Sequence, residues 1–188
     1  MLVNACRAHG LSQVEVLYVK DNYQSTLDQL NIILSNYELV ICSGGISVGD
    51  YDYVGKALSE LGVTEVFYKV KQKPGKPLFF GTKGNCHVFA LPGNPAAALT
   101  CFYVYVLLAL EIMTSGGVGS LKKEKKRVAS DLIRKGDRAL FLKATHCNGD
   151  VQVLEGQSSA MLHTFARCNA LIYISLDEAS VKKGEEVN

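Results

Sequence analysis

The residues best placed to do chemistry lie in the stretch 39–53, LVICSGGISVGDYDY. Leu39, Val40, Ile41 and Cys42 make a short apolar run that reads as a buried strand, and the run stops at Ser43-Gly44-Gly45. Adjacent glycines let backbone N–H groups approach a ligand with no Cβ in the way, and the carboxyl end of a parallel strand is where open α/β sheets bind ligands. Ser47, Gly49, Asp50 and Asp52 follow, so hydroxyls and two carboxylates gather just before a helical pattern resumes. These groups suit a phosphate-bearing ligand and a divalent cation. They also read as an ordinary tight connection in which Asp50 only caps the next helix.

Two further irregular stretches carry polar chemistry. In Gln72-Lys73-Pro74-Gly75-Lys76-Pro77, prolines around a glycine fix a rigid turn that holds Lys73 and Lys76 where they can meet an anion. In Pro92-Gly93-Asn94-Pro95, Pro95 suits the first position of a helix whose free N–H groups point at an anion. Each stretch stands just beyond a strand, and in a parallel sheet those ends share one edge. The bland alternatives are a solvated lysine and a plain helix start.

The elements that must position these groups follow from periodicity. Residues 1–10 read as a helix stopped by Gly10, and 14–19 as a strand. A polar turn at 20–22 leads to a helix over 23–36, with Leu27, Leu30, Ile33 and Leu34 on one face. After the glycine loop come a helix over 52–61 ended by Gly62, a strand over 66–70, a hairpin from 78–80 to 88–91, and a long apolar helix from 96. Helix and strand in alternation predict an α/β domain with a mostly parallel sheet and helices on its faces. SGGVGS at 115–120 reads as a linker. Beyond it, strand-like runs at 127–133, 138–145, 151–154 and 170–176, with no amphipathic helix between them, predict a small barrel-like β domain.

Composition limits the function. With 188 residues, 48% hydrophobic and 20% charged, the chain can bury an ordinary core. A net charge of +2 supplies no broad field for nucleic acid, and the basic run at 122–127 has no interleaved aromatics. Six scattered cysteines without a close pair read as cytosolic thiols, neither a disulfide framework nor a zinc site. His9, His87 and His163 are isolated. The apolar run at 96–113 includes Tyr103, Tyr105 and Glu111 and reads as a buried helix, so no membrane is expected.

Taken together, SGGISVGDYDYV, KPGKPLFFG and ALPGNPAAAL, in that order and ahead of a small β domain, resemble the molybdopterin molybdenumtransferase family, the molybdenum-insertion enzymes of MoeA and gephyrin type. The resemblance covers nearly the whole chain. It implies a doubly wound sheet of molybdopterin-binding type over 1–114 that lacks its first strand, a linker at 115–120 and a carboxyl-terminal β domain at 121–188. It also implies a cytoplasmic homodimer that binds adenylylated molybdopterin and molybdate and, with magnesium, cleaves the pyrophosphate bond to give molybdenum cofactor and AMP.

By the same resemblance, Asp52, with Asp50, holds the cation, and Asp21 falls where the family has another acidic residue. Ser43, Gly44, Gly45 and Ser47 line pterin and phosphate. Lys73 and Lys76 face molybdate or phosphate, and Pro92, Gly93, Asn94 and Pro95 present backbone donors. Arg138 and Ser159 match the arginine and serine that the family places near the oxyanion. Two departures stand out. Ala97 replaces a serine common after the LPGNP motif, and the family's upstream domains and its Thr-Gly-Asp strand have no counterpart here, so a carboxyl-terminal piece of such a chain is expected. The rival readings are a non-catalytic scaffold-type binding module of the family and an adenylyltransferase-like domain.

Overall fold

The computed structural model describes residues 1–46, 52–114 and 121–188. They divide into two units, one of residues 1–70 and 75–120, the other of 71–74 and 121–188.

In the first unit, α1 (Leu2–Ala8) buries Ala5 and Cys6. The strand expected at 14–19 does not form: Val16, Leu17 and Val19 are 46%, 45% and 43% exposed, and Tyr18 is 95% exposed. Alternating apolar residues make a strand only where a neighbour completes the ladder, and among the described residues none pairs with this stretch. Asn22 then starts α2 (Tyr23–Asn36), its side-chain oxygen accepting from Ser25 N–H at 2.9 Å. Leu30 and Leu34 are buried on the face the periodicity predicts, with Leu27 and Ile33 beside them.

β1 (Leu39–Ser43) leads through the glycine loop to α3 (Tyr53–Glu60), which buries Val54, Ala57 and Leu58 and ends before Gly62 at φ +76°. β2 (Thr64–Tyr68) follows, two residues earlier than periodicity suggests, because Lys69 takes φ +63° and turns the chain. Beyond the short β3 (Gln72–Lys73) come β4 (Phe79–Lys83) and β5 (Cys86–Leu91), the expected hairpin, turning at Gly84 with φ +56°.

The sheet runs β1-β5-β4-β2. β1 and β5 pair in parallel, with Leu39 opposite His87 and Ser43 opposite Leu91; β5–β4 and β4–β2 are antiparallel. So β1, β5 and β2 point one way and only β4 opposes them. The sheet is mixed because the hairpin and the loop closed by Lys69 N–H on Leu78 O, at 3.0 Å, each reverse the chain.

Helices cover both faces. Val40, Val88, Ala90 and Phe79 pack with α2 and α3. On the other face Phe67, Phe80 and Phe89 form an aromatic row, joined by Tyr105 at 6.2 Å from Phe67. Tyr105 belongs to the helical stretch Pro95–Thr114, made of α4 (Pro95–Cys101), a π-helical turn (Phe102–Val106) and α5 (Leu107–Thr114). By length and composition this stretch could cross a bilayer; here Phe102, Val106 and Leu107 are fully buried in the unit's core.

The second unit is built on strands β6 (Lys126–Val128), β7 (Leu132–Ile133), β8 (Ala139–Cys147), β9 (Asp150–Val153), β10 (Ala170–Ile174), β11 (Ser180–Val181) and β12 (Glu186–Val187). Its main sheet runs β10-β8-β9-β6-β12, with β3 paired to the start of β8; β7 pairs with β11. Tyr173 N–H donates to Asn188 O at 2.9 Å, so the far edges approach each other and the sheet curls around Val128, Ala144, Val151, Ile172 and Ile174. One short helix, the 3₁₀ turn Leu162–Arg167, interrupts the strands.

Candidate functional site

In the first unit the parallel register of β1 and β5 decides which loops meet. Ser43 and Leu91 end their strands opposite each other, so the chain leaves both at the same sheet edge. Gly44 N–H donates to Leu91 O at 3.2 Å, and a Cβ on Gly93 would lie 3.5 Å from Gly44 Cα. The glycine loop and Pro92-Gly93-Asn94-Pro95 are therefore in contact. Gly44 and Gly45 adopt φ +87° and +67°, and a Cβ on Gly45 would sit 2.7 Å from Val54 Cγ2, so only glycine fits there.

The amino end of α3 closes on the same loop, with Val54 N–H donating to Gly45 O at 3.2 Å. Half-buried Asp52 caps that helix through Oδ1, which accepts from Gly55 N–H at 2.9 Å. Its Oδ2 accepts from Tyr68 Oη at 3.2 Å. Tyr68 ends β2, the third strand to finish at this edge, and packs on Phe79 at 6.1 Å with Lys69 Nζ 4.7 Å from its ring centre. Burial, with the Asp52 carboxylate next in weight, pushes the Tyr68 phenol up to about 12, so it remains a donor.

Beside these groups lies an open cleft of about 660 Å³ whose walls include Ile46, Asp52, Lys56, Glu60, Tyr68 and Phe79. It joins an apolar wall to carboxylates, the mixture that holds a flat polar ligand in a fixed orientation. Asn94 caps α4, accepting from Ala97 N–H at 3.4 Å, with Pro95 at the first helical position. Burial pushes the thiols of Cys42 and Cys101 up to about 12, so neither is a thiolate at neutral pH.

The donor set suits a hard cation that rides on a ligand's phosphates. Among the described residues no three His, Cys, Asp or Glu side chains gather, so a complete protein cage is not formed. Among the described residues each Asp52 oxygen accepts one hydrogen bond, a donor set with capacity for a cation. Asp21 is exposed in the turn before Asn22. Ser47 and Asp50 lie outside the described residues. Ser43 is exposed at the loop's start, and Lys76 is exposed one residue after Gly75, whose carbonyl is met by Cys101 Sγ at 3.9 Å.

The second unit gathers the remaining candidates by strand pairing. β3 runs parallel to β8 with Gln72 opposite Ala139 and Lys73 opposite Leu140, and Ala139 N–H donates to Lys71 O at 3.0 Å. Exposed Lys73 and half-buried Arg138 thus come to one end of the sheet from positions far apart in the chain. Ser159 is half-buried in the loop between β9 and the 3₁₀ turn. Sequence reading passed over Tyr68; its place at the carboxyl end of a strand is the signal that could have found it.

Known proteins are similar to this chain in sequence and fold. The probable molybdopterin binding domain matches residues 1–112, and the MoeA C-terminal region (domain IV) matches 125–188. A molybdopterin molybdenumtransferase of a Nostoc species is 32% identical, over 96% of this chain and 44% of its own length. One from Haemophilus influenzae is 30% identical, over 81% of this chain and 39% of its own. The chain thus spans less than half of these curated relatives. The molybdopterin biosynthesis MoeA protein of Pyrococcus horikosii shares the fold with a TM-score of 0.76 at 23% identity, over 98% of this chain and 46% of that one. With its first 112 residues matched to that domain and its tail to MoeA domain IV, the chain belongs to the molybdopterin-binding domain family of molybdenum cofactor biosynthesis.

Proposed function

We propose that this chain carries out molybdenum insertion: it binds adenylylated molybdopterin and molybdate, and cleaves the pyrophosphate bond with release of AMP. The observation that carries the reading is the meeting of the 44–45 and 92–95 loops with the Asp52 carboxylate at one sheet edge. The Gly45 N–H and the start of α4 are suited to phosphate oxygens, with Gly44 lining the loop while its own N–H bonds Leu91 O, and the cleft walls of Ile46, Tyr68 and Phe79 are suited to the pterin. Asp52, with Asp50, would hold magnesium, which would supply positive charge against the leaving phosphate. Asp21 is assigned with them only by resemblance. The Tyr68 hydroxyl and Gly55 N–H each donate to the Asp52 carboxylate and fix its orientation.

Lys73, Lys76 and Arg138 supply positive charge for the oxyanion or the phosphates, and the Ser43, Ser47 and Ser159 hydroxyls donate to ligand oxygens. Ala97 donates only its backbone N–H, already bonded to Asn94. A cytoplasmic homodimer is carried over from the family resemblance. The test is manganese(II) binding followed by electron paramagnetic resonance with AMP present. Wild type should retain the metal, and Asp52→Asn should weaken it by about tenfold or more; equal affinities would remove Asp52 from the metal site.

A further inference from the structure

Lys143, on β8, is only 4% exposed, yet its ammonium is met by backbone carbonyls: Gly156 O at 2.8 Å, Met161 O at 3.0 Å and Ser158 O at 3.3 Å. The Phe165 ring lies 5.6 Å from Nζ. The backbone of the same residue is gripped as well. Lys143 N–H donates to Gln157 Oε1 at 2.9 Å, and Gln157 Nε2 donates to Lys143 O at 2.8 Å and Leu154 O at 2.7 Å. Thr164 Oγ1 adds a bond to Gly156 O at 3.1 Å. The segment from Leu154 to Thr164 is wrapped around one residue of a strand.

Burying an ammonium is unfavourable, and desolvation accordingly lowers the Lys143 pKa. A methionine of similar length would avoid that desolvation but leave the three carbonyls without a donor, so the charge is tied to holding them. What a compact cation supplies is convergence: three carbonyls aim at one point, which sets the backbone on both sides of Ser159. We infer that Lys143 is a positioning residue, which fixes residues 158–161 so that the Ser159 hydroxyl is placed to donate to an oxyanion. The inference rests on the proposed role of Ser159.

The test uses the full chain with molybdate as the calorimetric probe and hydrogen exchange as the local reporter. For Lys143→Met, exchange at residues 158–161 should speed up and the molybdate dissociation constant rise about tenfold, matching Ser159→Ala. The double variant should bind no worse than Ser159→Ala, a non-additivity that general loosening does not produce. Lys143→Arg, which keeps charge and donors, should restore binding. If methionine prevents folding, Lys143→Gln serves, with two N–H donors and the same expected direction. Loosened exchange with wild-type molybdate binding, while Ser159→Ala still weakens it, would overturn the role of Lys143 and leave Ser159 standing. Wild-type binding by Ser159→Ala would overturn both.

Discussion

Asp52 has a donor on each carboxylate oxygen, and those donors set how its surroundings respond to substitution. Tyr68→Phe removes one of them; folding stability should drop by about 1 kcal/mol in urea denaturation. A pH signature accompanies it. The folded phenol titrates at about 12 against an ordinary 10.0, so the folded chain holds that proton longer than the unfolded one. The contribution is complete below the unfolded pKa and is lost as pH rises through the folded one. Wild type should therefore lose more stability than Tyr68→Phe between about pH 10 and 12. Gly55→Ala probes the other oxygen, since its Cβ would lie 2.8 Å from Asp52 Oδ1. Alanine favours a helix over glycine by about 1 kcal/mol, so weaker manganese binding without a lower melting temperature would report displacement of the carboxylate. Asp52, Gly44 and Gly45 were legible in the sequence because small and charged residues after a strand are conspicuous. Tyr68 and Lys143 were not, because their partners lie 16 and at least 13 residues away in the chain.

At the scale of elements, the parts with local signals were readable. Asn22, Asp52 and Asn94 each cap a helix through a side-chain oxygen, and Gly84 turns the hairpin. Residues 14–19 show where local pattern fails, since pairing is a property of two segments. The β2–β4 ladder gives a direct check. A Cβ on Gly81 would come within 2.8 Å of Thr64 O, across the ladder, so Gly81→Val should destabilise the chain by about 1–3 kcal/mol in chemical denaturation. Leu58, 1% exposed between α3 and the sheet, should cost about 2–5 kcal/mol on truncation to alanine, with the loss measured the same way.

At the scale of the whole molecule, the chain leaves the first unit at residue 70, lends 71–74 to the second, and returns at 75. No local feature of QKPGKP announces this, because β3 is defined by a strand that begins at Ala139. We propose that the loops gathered around Asp52 at one sheet edge act on a pterin nucleotide. The most direct test is AMP release from adenylylated molybdopterin by the full 188-residue chain with molybdate and magnesium, beside Asp52→Asn. Release by wild type and a loss of about a hundredfold or more in the variant are expected. Release at the wild-type rate by Asp52→Asn, or none by wild type, would contradict it.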